Sequence, residues 1–86
     1  MVIEITNERS YNITIDFLRD CGYIWQDDTT KENPTWQEIK SKLPNATKTV
    51  CIYCFWNCYT KHQELSYQSK NFYKKMFGKN YKTLLV

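Results

Sequence analysis

The chain is poor in the residues that interrupt regular structure. It has two glycines and two prolines among 86 residues, and it contains no low-complexity tract. This composition argues against disorder, because disordered chains carry an excess of flexible and polar residues. The chain also lacks a Gly-rich phosphate loop, a dinucleotide-binding fingerprint and the sequence order of a Ser-His-Asp catalytic triad. We therefore do not expect an enzyme. Because the cofactor-binding motifs are missing, we also expect no bound cofactor. The length predicts a single domain spanning residues 1–86.

Long apolar runs are missing as well. No stretch is long enough to span a bilayer, and the first residues lack the charged start and apolar core of a secretion signal. We therefore expect a cytoplasmic protein with no membrane contact. In the cytosol the four cysteines should be free thiols rather than disulfides.

Charge is unevenly distributed along the chain. Residues 1–46 carry five basic and eight acidic side chains, a net charge of −3, whereas residues 47–86 carry seven lysines against Glu64 alone, a net charge of +6. The second half contains no arginine. Such a polar molecule can be steered toward an oppositely charged surface although its total charge is only +3.

The stretch Lys48 to Tyr59 is the most apolar part of the chain and predicts the central strand of a small sheet. Side chains alternate along a strand, which places two different apolar sets on its two faces. The set expected to pack under helices is Val50, Ile52, Cys54 and Trp56. The opposite face, with Tyr53 and Phe55, should be thinly shielded or offered to a partner. These two residues are our first candidates for partner contact.

Hydrophobic periodicity and capping residues predict the other elements; the capping residues are Asn7, Thr35 with Glu38, Ser69 and Gly78. Strands are expected over Val2 to Thr6, Tyr23 to Trp25, Glu64 to Gln68 and Tyr81 to Val86, and helices over Asn7 to Cys21, Trp36 to Leu43 and Lys70 to Phe77. The order β-α-β-α-β-β-α-β predicts an α+β fold, with a mostly antiparallel sheet and helices packed mainly on one face. The first helix has an apolar stripe of Tyr11, Ile15 and Leu18, widened by Phe17 and Cys21.

Four side chains have the chemistry of zinc ligands, namely Cys51, Cys54, Cys58 and His62. On a strand, however, residues three positions apart face opposite sides of the sheet, and on a helix this spacing covers too many turns to converge on one ion. We therefore interpret them as weak metal candidates and the cysteines as small apolar residues. A second cation candidate, Asp27 and Asp28 in a polar loop, is interpreted as a solvated turn.

Lysines dominate the last helix and the residues after it. In the predicted helix Phe72, Tyr73, Met76 and Phe77 should point inward, and Lys70, Lys74 and Lys75 outward, followed by Lys79 and Lys82. Lysines interleaved with aromatic residues suit a nucleic-acid backbone, although a solvated helix face has the same composition. The candidate contact residues are Lys70, Lys74, Lys75 and Lys79 together with Tyr53 and Phe55.

The opening pattern Ile3-x-Ile5-x-Asn7, then Phe17-Leu18 and Gly22-Tyr23-x-Trp25, resembles small α/β proteins encoded by bacteriophages. Anti-CRISPR proteins are the best known of this anti-defence type. The resemblance implies an inhibitor that occupies a surface of a bacterial host protein, such as a CRISPR-associated nuclease, within the host cytoplasm. It transfers no functional residue to this chain.

Two hypotheses follow from the sequence. The first is a non-enzymatic inhibitor or interaction protein that binds a bacterial protein through exposed aromatic residues and one charged pole. The second is a small nucleic-acid-binding protein that uses its lysine-rich half. A monomer and a homodimer both stay open, because an unshielded strand face or an edge strand can pair with its copy.

Overall fold

A computed structural model describes residues 1–26, 32–44 and 48–85 of the chain. The acidic pair Asp27 and Asp28 lies outside these described residues. Strands and helices follow one another in the predicted order. Their bounds are β1 Val2–Ile5, α1 Glu8–Asp20, β2 Ile24–Trp25, α2 Trp36–Lys42, β3 Val50–Asn57, β4 His62–Ser69, α3 Lys70–Phe77 and β5 Thr83–Leu85, with a 3-10 turn, Gly78–Asn80, between α3 and β5.

The strands form one five-stranded sheet in the order β2-β4-β3-β1-β5. Its centre is antiparallel, since β3 pairs with β4 from Val50 opposite Ser69 to Asn57 opposite His62, and with β1 on its other side. Both edge strands are short and run parallel to their neighbours, β2 to β4 and β5 to β1. The predicted α+β fold with a mostly antiparallel sheet is therefore confirmed.

The larger core lies on the face of the sheet that α1 and α2 cover. Asn7 caps α1 and accepts a hydrogen bond from the Ser10 amide, and Thr35 forms a capping box with Glu38 at the start of α2. These caps set where the two helices begin, and the apolar sides of both helices pack against the sheet. The buried side chains of this core include Ile5, Tyr11, Ile15, Leu18, Ile39, Val50, Ile52, Cys54 and Leu65.

The other face of the sheet carries a smaller core beneath α3. Here Cys51, Val2 and Tyr73 are buried, and Tyr53, Phe77 and Tyr81 pack against them. The Ser69 hydroxyl accepts from the Phe72 amide at the start of α3, and Gly78, with a φ of 56°, ends the helix. Two helices therefore cover one face and one covers the other.

Five predicted inward positions are wrong. Trp56 is 61% exposed near the end of β3 and belongs to neither core. Phe17 is 65% exposed on α1, where Tyr11, Ile15 and Leu18 already fill the sheet-facing side. On α3, Phe72 is 48% and Met76 58% exposed, since a short helix on a flat sheet buries only one narrow side. Cys21, predicted to widen the α1 stripe, is also exposed.

Substitutions at two members of the predicted inward set of β3, Ile52 and Trp56, should differ strongly in their effect on stability. Ile52 is completely buried, so Ile52→Ala should lower the free energy of unfolding by about 2–5 kcal/mol through lost contacts and a cavity. Trp56→Ala, the matched control, should lower it by less than about 1 kcal/mol because the ring is largely solvated. Urea denaturation of the purified variants measures both. An equal loss in the two variants would contradict the assignment of the core.

Candidate partner-binding surface

The outer side of α3 combines exposed apolar and basic side chains. Phe72 and Met76 are one helical turn apart and therefore lie side by side. Lys75 follows Phe72 by three positions and therefore lies beside it on the helix. Lys74 is exposed on another side of α3, two positions from both apolar residues, and Lys79 is exposed in the 3-10 turn that follows the helix. We call these five exposed residues, Phe72, Met76, Lys74, Lys75 and Lys79, the α3 surface.

The charge of this region is of one sign. From Gln68 to Leu85 the sequence contains five lysines and no acidic residue. Lys70, predicted to point outward, instead forms an ion pair with Glu4, with 3.2 Å between Nζ and Oε1, and is only half-exposed. Among the described residues, no ion pair is found for Lys74, Lys75 or Lys79. The α3 surface therefore presents uncompensated positive charge to a partner.

Aromatic rings from β3 support α3 from below. The ring of Tyr53 stacks on Phe55 with centroids 4.9 Å apart, and it meets Tyr73 at 5.6 Å and Phe77 at 5.1 Å. Phe72 contacts the edge of Tyr73 at 5.5 Å, which joins the exposed side of the helix to this cluster. Tyr53 and Phe55 are half-buried, so their main observed contacts are internal. Their direct contact with a partner stays a prediction.

The hydroxyl of Tyr73 is fixed within this cluster. It shares a hydrogen bond of 2.7 Å with the Ser66 hydroxyl on β4. Burial raises the pKa of Tyr73 to about 12, although the bond to Ser66 acts in the opposite direction. The phenol therefore stays protonated over the physiological range and can hold α3 to β4 at any such pH.

A buried carboxylate on β1 connects both ends of the segment that contains α3. Glu4 is only 6% exposed. It pairs with Lys70 at the start of α3 and accepts a 2.9 Å hydrogen bond from the hydroxyl of Tyr81, which follows the 3-10 turn. The Tyr81 oxygen also lies 3.7 Å from the Cys51 sulfur. Glu4 therefore links both ends of this segment to β1, in addition to the apolar contacts of α3 with the sheet.

The environment of Glu4 favours its charged form. Burial alone raises the pKa of this carboxyl, but the hydrogen bonds from Tyr81, Lys70 and Thr83 and the charge of Lys70 outweigh it, and the pKa lies below its ordinary value. For Tyr81 the direction is opposite: burial and the neighbouring Cys51 and Glu4 raise the pKa of its phenol. Glu4 is therefore an acceptor and Tyr81 a donor at neutral pH.

The four weak metal candidates do not come together. Cys51 is buried under α3 and Cys54 in the core on the opposite face, as the strand spacing predicts. Burial raises the pKa of both thiols, which disfavours the thiolate that a metal requires. Cys58 and His62 are exposed at the β3–β4 turn. Across residues 1–26, 32–44 and 48–85, no group of three or more His, Cys, Asp or Glu side chains could hold a metal ion.

A cleft of about 610 Å³ lies elsewhere, between α2 and β4. Its lining includes Trp25, Glu38, Lys42, Leu43 and Tyr67, and none of the predicted contact residues. The predicted site and the cleft are thus separate features. The sequence did not identify Phe72 and Met76 as surface residues, because Tyr73 and Phe77 have the same i, i+4 spacing and the spacing does not show which pair faces the sheet.

Comparison with known proteins gives no match: no family model, no curated protein and no solved structure is similar to this chain. The resemblance to small phage proteins therefore stays a prediction. In the part of the chain that the structure describes, no helix combines the length and apolar character that crossing a membrane requires.

Removing the charge of Glu4 should change how stability depends on pH. The pKa of Glu4 is lowered in the folded state, so its contribution is fully present above the unfolded pKa of about 4.3 and is lost as pH falls through the folded pKa. Glu4→Gln should therefore lower the free energy of unfolding by about 1–3 kcal/mol at pH 7, with a smaller deficit at pH 3. Urea denaturation at both pH values measures the difference.

The matched control for that experiment is Glu8→Gln, an exposed carboxylate in the first turn of α1. Its effect should be below about 1 kcal/mol at pH 7, because exposed charges near a helix end contribute little. A deficit in Glu4→Gln that is independent of pH would contradict the assigned charge of Glu4.

Proposed function

We propose that this chain is a non-enzymatic interaction protein that binds an acidic, partly apolar surface of another protein through the α3 surface. The observation that carries the proposal is the exposure of Phe72 and Met76 between lysines on a helix that is anchored at both ends. A folded chain gains nothing in stability by exposing two large apolar groups side by side, whereas a binding surface gains affinity from them.

The two kinds of side chain would contribute differently to binding. Burying the apolar parts of Phe72 and Met76 would supply affinity, at roughly 25 cal/mol for each Å² removed from water. The surrounding lysines would mainly speed encounter and exclude basic partners, because rim charges act on association rate and specificity more than on affinity. Since α3 is held in place before binding, little ordering of the helix opposes association.

The proposed partner is a bacterial host protein, and the resemblance to small phage proteins suggests a defence protein such as a CRISPR-associated nuclease, whose activity the bound chain would block. The positive charge of the α3 surface restricts which part of the partner it can contact. A lysine-rich face is repelled by a basic nucleic-acid channel and attracted by a cluster of carboxylates. The proposal therefore places the contact on an acidic region of the partner.

Direct nucleic-acid binding is the second candidate, and the run of five lysines without an acidic residue favours it. Two observations weigh against it. The exposed apolar pair includes Met76, which offers no aromatic face to a base, and residues 47–86 contain no arginine for bidentate phosphate contacts. Protein binding uses both the apolar pair and the lysines of the α3 surface, whereas nucleic-acid binding uses mainly the lysines.

Variants of the α3 surface should separate these functions. The tagged chain is used to capture proteins from a bacterial lysate, and each captured protein is purified and titrated against the variants. Replacing Phe72 and Met76 by serine should weaken binding by about 100-fold, and Lys74→Glu with Lys75→Glu by about tenfold at low salt. The matched control, Lys42→Glu with Lys61→Glu, changes two exposed lysines elsewhere and should leave affinity unchanged.

The nucleic-acid alternative is tested by titrating labelled DNA and RNA with the same variants at increasing salt. If the nucleic-acid alternative holds, binding at low salt weakens steeply as salt rises, depends on Lys74 and Lys75, and tolerates the serine substitutions. Protein binding that is unaffected by all α3 variants would contradict the proposed site.

A further inference from the structure

The outer side of α1 carries a second exposed apolar pair. Ile13 is 61% and Phe17 65% exposed, and the two are one helical turn apart. They lie on a different side of the helix from Tyr11 and Ile15, which pack into the core beside α2. Nothing in the described residues covers this pair.

Charged residues at the two ends of the same side of α1 oppose the helix dipole. Arg9 precedes Ile13 by four positions and lies in the first turn, where a negative charge is favoured. Asp20 follows Phe17 by three positions and lies in the last turn, where a positive charge is favoured. Both side chains are exposed. Along the outer side of α1, a basic residue is therefore followed by the apolar pair, with Asp16 beside it, and then by the acidic Asp20.

We propose that this side of α1 binds a second copy of the chain in an antiparallel, two-fold symmetric helix pair. The midpoint of the pattern lies between Ile13 and Phe17. An antiparallel copy centred there places Ile13 level with Phe17 of the partner subunit. Arg9 then lies one residue, about 1.5 Å along the helix axis, from the level of Asp20 of the partner subunit, an offset that the long Arg9 side chain can span. Because the arrangement is symmetric, every contact occurs twice.

Self-complementarity is the reason for choosing a second copy over an unrelated partner. The basic end of the pattern meets the acidic end of its copy, so two charges that are unfavourable within one helix become favourable across the pair. One feature limits the affinity. Asp16 lies near the midpoint and faces its own copy across the symmetry axis, where like charges repel. The dimer should therefore form reversibly and depend on concentration.

This dimer is independent of the proposed function. The α1 helix packs on one face of the sheet and α3 on the other, so an α1 pair leaves the α3 surface of each copy accessible. A dimer would thus present two α3 surfaces to acidic partners and could bind a multivalent target more tightly than a single copy can.

Sedimentation velocity over a concentration series tests the proposal. The wild-type chain should move from monomer to dimer as concentration rises, and Phe17→Glu should remain monomeric because it places two buried like charges at the interface. Phe72→Glu on α3 is the matched control and should dimerise like the wild type. A wild type that stays monomeric throughout would overturn the proposal, and so would a dimer that survives Phe17→Glu.

Charge reversal tests the antiparallel register without disturbing the fold. Arg9→Glu and Asp20→Lys both agree with the helix dipole, so neither should unfold α1. Each alone should raise the dimer dissociation constant by about tenfold, because two attractive pairs become repulsive. The double variant should restore the wild-type value, since the signs are exchanged together. Failure of the double variant to recover would overturn the antiparallel pairing.

Discussion

The structure depends on one constraint: β3 carries apolar side chains on both of its faces. Val50, Ile52 and Cys54 on one face are buried by α1 and α2, and this uses both helices that precede the strand. Cys51 and Tyr53 on the other face need a separate cover, which only the segment after β4 supplies. The position of α3 is therefore a consequence of the composition of β3, and burial of apolar area is its main source of stability.

Covering that face also determines what α3 presents to solvent. The helix has four apolar residues in eight, but a sheet contacts only one side of it, and Tyr73 and Phe77 occupy that side. Phe72 and Met76 are left outside among the lysines. Glu4 then contacts both ends of the segment from Lys70 to Tyr81, which contains α3. The outer side of α3 therefore exposes apolar and basic side chains on a helix that contacts hold to the sheet.

The order of elements was predictable from local signals, while their packing was not. Asn7, Thr35 with Glu38, Ser69 and Gly78 mark helix ends through side-chain caps or a positive φ, and those positions are confirmed. Which side of a short helix faces inward depends on the sheet beneath it, so the orientation of Phe72 could not be read from periodicity.

Long-range features escaped sequence reasoning for the same reason. The exposure of Trp56 depends on packing between elements, which strand alternation does not give, and the pairing of Glu4 with Lys70 joins residues far apart in the chain. The opposite placement of Cys51 and Cys54, in contrast, needed only the alternation of a strand, and it was predicted. Local geometry was accessible from the sequence, and contacts between elements were not.

Hydrogen–deuterium exchange measured by mass spectrometry tests most directly whether α3 is the binding element. Exchange would be compared between the free chain and the chain in complex with a protein purified by capture from a bacterial lysate. We expect slower exchange in the complex over residues 70–80 and unchanged exchange over residues 8–20 and 36–42. Protection confined to α1 or α2, with residues 70–80 exchanging as in the free chain, would contradict it.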